Sequence, residues 1–179
     1  MHVAALLASL MVGGVDLTNL WVDIPKDVNT VTLTSLEANK PGTFKALSRK
    51  VTVISFYSSF NSDGRAAQAL DALARELGPR KDLAIYLVSI DLPRTPEELA
   101  TLKQLVADLK VPTLTVLIDT EIQLLKWVNG QLRDDSKQKL ASNEMLTPTF
   151  VIIRDGKILA AKDPKEDRRA AILKALEGR

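Results

Sequence analysis

Asn61, Ser62 and Asp63 are consecutive, small and polar, and they follow the apolar, β-branched run Val51–Tyr57, which reads as a buried strand. Beyond them Ala66, Leu70, Leu73 and Leu77 recur at helical spacing, so the polar residues stand at a helix N-terminus. Unpaired N–H groups and the helix dipole there attract a small anion or carboxylate, which makes Asn61 and Ser62 a candidate anion site. The same residue types are the preferred N-caps, and Asp63 repels an anion, so plain capping competes with binding.

The rest of the inventory excludes more than it offers. The chain has no cysteine and a single histidine, His2, so no thiolate or imidazole set exists for zinc, copper, haem or iron–sulfur. A Ser–His or Cys–His nucleophile pair is excluded on the same count. Asp91 and Asp119 stand at strand ends and read as turn caps, while Asp134 and Asp135 lie between Arg133 and Lys137 and read as solvated. No metal and no cofactor are expected, and any catalysis would run on Asp, Glu, Lys, Tyr or Ser. The 24 basic and 22 acidic residues are well mixed, with a net charge of +2 and no basic stripe. Such a surface does not track a phosphate backbone, so nucleic acid is not an expected partner.

The elements that position these residues alternate between strands and helices. Val31–Lys50 reads as a hairpin turning at Lys40-Pro41-Gly42, and Leu83–Ile90 as a second buried strand. Gly78-Pro79 ends the first helix, and Thr95-Pro96-Glu97-Glu98 opens a second with Leu99, Leu102, Val106 and Leu109 on one face. Leu114–Ile118 is a third strand. Asn129-Gly130 predicts a hairpin turn within Leu124–Leu132, and Ser136–Met145 reads as helical. Phe150–Ile153 and Lys157–Ala161 flank the turn Arg154-Asp155-Gly156, and Asp163-Pro164 opens a terminal helix. The pattern predicts an α/β fold with a central mixed sheet flanked by helices, occupying 31–179. Residues 1–30 form an apolar segment and linker. Its run Val3–Val15 is shorter than the about 20 residues of a membrane span, and reads equally as a signal-peptide core or a docking helix.

Three pieces of this order resemble the thioredoxin superfamily, and within it the TlpA/ResA-like thiol–disulfide oxidoreductases. ISFYSSFNSDGR is similar to the family's strand–CxxC–helix, with Phe56 and Phe60 at its aromatic positions. Leu146-Thr147-Pro148-Thr149-Phe150 resembles its cis-proline loop, and IIRDGKI its following strand–turn–strand. The helix and strand within Thr95–Asp119, and the N-terminal hairpin, resemble the TlpA/ResA elaboration. The resemblance places the two cysteine positions at Asn61 and Gly64, and the buried proton-handling aspartate at Ser55. With no thiolate, neither half of a disulfide exchange can proceed.

The resemblance implies a redox-inactive domain that acts by binding protein, as an assembly subunit or chaperone-like adaptor. Phe60, Asn61, Met145, Leu146, Thr147 and Pro148 would line the family's peptide groove, unless the proline only completes the fold. Trp127, with Leu124, Leu125, Val128 and Leu132, is a second contact surface if exposed, and a local core if not. Membrane contact is expected only through residues 1–15, and the resemblance favours an extracytoplasmic location over an intracellular or organellar complex. The alternative is an enzyme or ligand-binding protein of altered chemistry that uses Asn61 and Ser62.

Overall fold

The computed structural model describes residues 27–36, 41–43, 49–59, 64–136, 150–161 and 168–178. After a 3-10 turn, Val28–Thr30, come β1 (Thr32–Ser35), β2 (Pro41–Thr43) and β3 (Val51–Tyr57). Next are α1 (Arg65–Leu77), β4 (Leu83–Ser89), α2 (Pro96–Asp108), β5 (Thr115–Ile118) and α3 (Gln123–Ser136). The hairpin β6 (Val151–Arg154) and β7 (Lys157–Ala161) and the helix α4 (Arg168–Glu177) complete the order.

Among the described residues the strands form one seven-stranded sheet in the order β2-β1-β5-β4-β3-β6-β7. β3, β4 and β5 are parallel, and the hairpin strands that flank them, β1 and β6, run antiparallel to them. Six of the seven side chains of β3 are buried, as a strand covered on both faces requires. Alternation along the strands sends Val53, Leu87, Val116 and Ile152 to one face, against α1, α2 and α4. Ile54, Val88, Val151 and Ile153 face the other way, against α3 and the 3-10 turn at Val28.

Local chemistry accounts for several boundaries. The Thr95 hydroxyl accepts from the Glu98 N–H at 3.2 Å with Pro96 at the first helical position, a cap worth about 1 kcal/mol. Gly78 ends α1 at φ 67° and donates to the Ala74 carbonyl at 3.1 Å. Asp155 and Gly156 both hold positive φ, 50° and 73°, the conformation that a two-residue turn between twisted strands demands.

Two expectations are corrected. The N-terminal hairpin is present, but Pro41 and Gly42 belong to its second strand, with Leu33 opposite Gly42 and Thr34 opposite Pro41. β2 is at the sheet's edge, where a residue without an N–H leaves no ladder bond unmade. The hairpin expected within Leu124–Leu132 is instead the helix α3. Leu124, Trp127 and Val128 share one helical face and pack on the sheet, and the Asn129 amide donates back to the Leu125 carbonyl at 2.9 Å. Burial of that face outweighs the turn preference of Asn-Gly. The remainder of the expected helix at Ser136–Met145, and the Asp163-Pro164 cap, lie outside the described residues.

Candidate functional site

In open α/β sheets the chain leaves the parallel strands at their C-terminal ends, and there β3 and β4 build a compact polar cluster. Asp91 follows β4 and accepts from four groups on three residues. The Ser59 N–H lies 3.2 and 3.0 Å from its two carboxylate oxygens, and the Ser59 hydroxyl lies 3.1 Å from Oδ1. The Ser58 hydroxyl is 3.2 Å from Oδ1, and the Ser89 hydroxyl is 2.9 Å from Oδ2. Ser89 Oγ also accepts from the Asp91 N–H at 3.2 Å, and the Ile90 N–H reaches the Tyr57 carbonyl at 2.9 Å. One carboxylate thereby fastens the segment after β3 to the segment after β4. With its lone pairs occupied by donors, Asp91 anchors the chain and does not serve as a free base. Burial pushes the neighbouring Tyr57 phenol upward, and the negative charge of Asp91 adds to that shift.

At the other side of residues 60–63 stands Gly64, the N-cap of α1, in the left-handed region with φ 77°. A β-carbon there would lie 2.5 Å from Cδ2 of Leu109, the buried residue that ends α2. A side chain at position 64 is disfavoured by the backbone conformation, and its β-carbon would have to displace the end of the Leu109 side chain. Ser55, at the position of the buried aspartate in the resemblance, is 1% exposed in the centre of β3 and carries a hydroxyl in place of a titratable carboxyl.

Phe60, Asn61 and Ser62, and Met145, Leu146, Thr147 and Pro148, lie outside the described residues. Their flanks are described. Because β6 runs antiparallel to β3 with Val151 opposite Ile54, the chain arrives at Phe150 from the same end of the sheet at which Ser58 and Ser59 leave it. Ser59 and Phe150 therefore stand at the same end of the sheet. Trp127 is not there. It is 3% exposed within the core between α3 and the sheet, which corrects the expectation of an exposed surface around it. Asp119 and Asp91 both do what strand-end acids were expected to do. Asp119 is fully buried and its two oxygens accept from the N–H groups of Gln123 (2.8 Å) and Leu125 (3.1 Å), capping α3. Burial raises its pKa from 3.8 to about 6, against the pull of those N–H groups.

The serine cluster itself was not anticipated. Its signal is local: Ser58-Ser59 directly follows one buried strand, and Ser89 with Asp91 ends the next. Among the described residues, no group of three His, Asp or Glu side chains is placed to hold a metal ion, and no helix is long and apolar enough to cross a membrane.

No family model matches the sequence, and no curated protein matches it either. Solved structures do. A candidate electron transfer protein from Aquifex aeolicus VF5 is similar over 86% of this chain and 94% of its own, at 17% identity and a TM-score of 0.58. The pneumococcal exposed lipoprotein thioredoxin of Streptococcus pneumoniae is similar over 82% of this chain and 96% of its own, at 22% identity and a TM-score of 0.56. The thioredoxin domain of a thiol-disulfide oxidoreductase from Bacteroides vulgatus covers 80% and 91%, at 19% identity and a TM-score of 0.53. The fold is thioredoxin-like.

Proposed function

We propose that this thioredoxin-like chain has left thiol chemistry and works by binding another polypeptide, as a subunit of an assembly or a chaperone-like adaptor. The observation that carries the reading is position 64, where a glycine at φ 77° stands against Leu109 in a chain without cysteine. A site rebuilt in this way keeps the sheet edge of the fold and gives up the sulfur. The α2–β5 unit between β4 and α3 further supports a TlpA-like variant of the fold.

The contact surface in this reading is the end of the sheet beyond Ser59 and before Phe150, beside Asp91. Phe60, Asn61, Met145, Leu146, Thr147 and Pro148 line it, and an extended segment of the partner lies along it by strand addition. The likeness to an exposed lipoprotein supports an extracytoplasmic location.

The test pairs a binding assay with an activity assay on the full chain. Affinity capture from the native cells, followed by cross-linking mass spectrometry, is expected to find one stoichiometric partner cross-linked beside 145–148. Thr147→Arg removes that partner without lowering the melting temperature, and Ser62→Ala, outside the proposed surface, leaves it bound. Insulin disulfide reduction stays at the uncatalysed rate. A monodisperse chain with no partner, or partner binding indifferent to Thr147→Arg, overturns the reading.

A further inference from the structure

Away from the sheet end, α2, β5 and the segment between them line an open groove of about 570 Å3 whose described lining is aliphatic on the floor and cationic on the rim. Leu36, Val106, Val111, Leu114 and Val116 form the floor, each between 4% and 7% exposed. The volume falls within the roughly 300–1,000 Å3 of small-molecule sites, which are mainly apolar with a few placed polar groups. Here the charged groups among the described lining residues are both lysines, Lys103 and Lys110.

Val106 lies one turn after Lys103 on α2, and Lys110 follows the C-cap Leu109, just outside the helix. Neither has an ion-pair partner among the described residues. Lys103 is half-buried, so its methylene stem lies along apolar surface while the ammonium reaches water. Lys110 holds a positive φ of 55°, a conformation that favours glycine and costs a lysine about 1 kcal/mol. Two lysine stems on the rim of one groove can converge on one anionic group, while the floor below accepts a hydrocarbon chain.

From this complementarity we infer that the groove binds a free long-chain carboxylate, with its chain on the Val106–Val116 floor and its head group between Lys103 and Lys110. The site is separate from the sheet end, and its occupancy is independent of the partner binding proposed there.

Calorimetric titration of the full chain with dodecanoate, below its micelle concentration, is the direct test. One site per chain is expected. Lys103→Glu with Lys110→Glu weakens dodecanoate at least tenfold, and Ala107→Trp, at an exposed position on the groove wall, does the same by filling it. Dodecyltrimethylammonium binds the unaltered chain at least tenfold more weakly than dodecanoate. Circular dichroism melts confirm that both variants fold. Absence of dodecanoate binding, affinity unchanged in both variants, equal affinity for the two amphiphiles, or binding confined to anionic phospholipid vesicles would each overturn the inference.

Discussion

Asp91 and Asp119 stand at the C-terminal ends of neighbouring parallel strands, and each ties down the chain beside it by different means. Asp91 is half-buried and draws three of its four donors from serine hydroxyls. Asp119 has no exposed surface and draws on backbone N–H groups at the start of α3. A hydroxyl can rotate to another acceptor or to water, so the Asp91 anchor gives a candidate binding edge that can yield. A buried N–H at a helix start has no alternative partner, so the Asp119 anchor is rigid and expensive to remove. The difference teaches that the start of α3 is fastened through backbone N–H groups and the end of β3 and β4 mainly through rotatable hydroxyls.

Breaking the rigid anchor should have the largest effect. Asp119→Ala leaves the buried Leu125 N–H and the half-buried Gln123 N–H without their acceptor, and is expected to cost about 2–4 kcal/mol in urea unfolding. A loss below about 1 kcal/mol would show that water reaches the α3 start. The protonation of the same carboxyl sharpens the contrast. Its folded pKa of about 6 lies above the ordinary 3.8, so the folded chain holds this proton more tightly than the unfolded chain. The stability it adds is full below about pH 4 and is lost as pH rises through about 6, a change of about 3 kcal/mol. Asp119→Asn cannot titrate. The stability of the natural chain relative to Asp119→Asn should therefore fall across that window, and a constant gap would refute the buried titration.

Next in size is the rebuilt helix start. Asn61→Cys with Gly64→Cys forces a β-carbon into φ 77° and against Leu109, and is expected to lower stability by about 1–3 kcal/mol without yielding disulfide reductase activity. Rapid insulin reduction by the double variant would mean that the helix start relaxes readily and that the missing sulfur was the only change. The smallest effect is expected at the yielding anchor. Asp91→Asn, which keeps the shape and removes the charge, should cost about 1 kcal/mol. Amide exchange should quicken at Ser59 and leave Leu125 protected, since the two anchors serve different segments. Equal quickening at both sites would join them into one unit.

Much of the framework could be read from the chain because its causes are local. Thr95 three residues before Glu98, Gly78 after Leu77, and Asp155-Gly156 between two apolar runs each act through neighbours a few residues away. Asn129-Gly130 misleads for the same reason: its turn preference is local, whereas the face of Leu124, Trp127 and Val128 is buried by strands distant in sequence. The bulge in β7 is of this second kind. Between the pairs Ile152–Ala160 and Ile153–Ile158, Leu159 has no opposite number, and it is left 50% exposed on the sheet's outer strand. Nothing in the run Lys157–Ala161 marks that residue out. At the candidate site, Asp91 was recognisable as a strand-end acid, but its acceptance from Ser58 and Ser59 depends on β3 and β4 lying side by side.

By itself the sequence determined the chemistry and the order of elements. A chain without cysteine and with one terminal-region histidine cannot exchange disulfides, and alternating strand and helix patterns can bury their apolar faces only as helices layered on a sheet. Tertiary structure decided what each position can tolerate. That Gly64 meets Leu109, that Asp119 is held with a raised pKa, and that Lys103 and Lys110 rim an apolar groove all follow from packing between segments far apart in the chain. Side-chain types are written residue by residue, but close approach and desolvation exist only once the layers have closed.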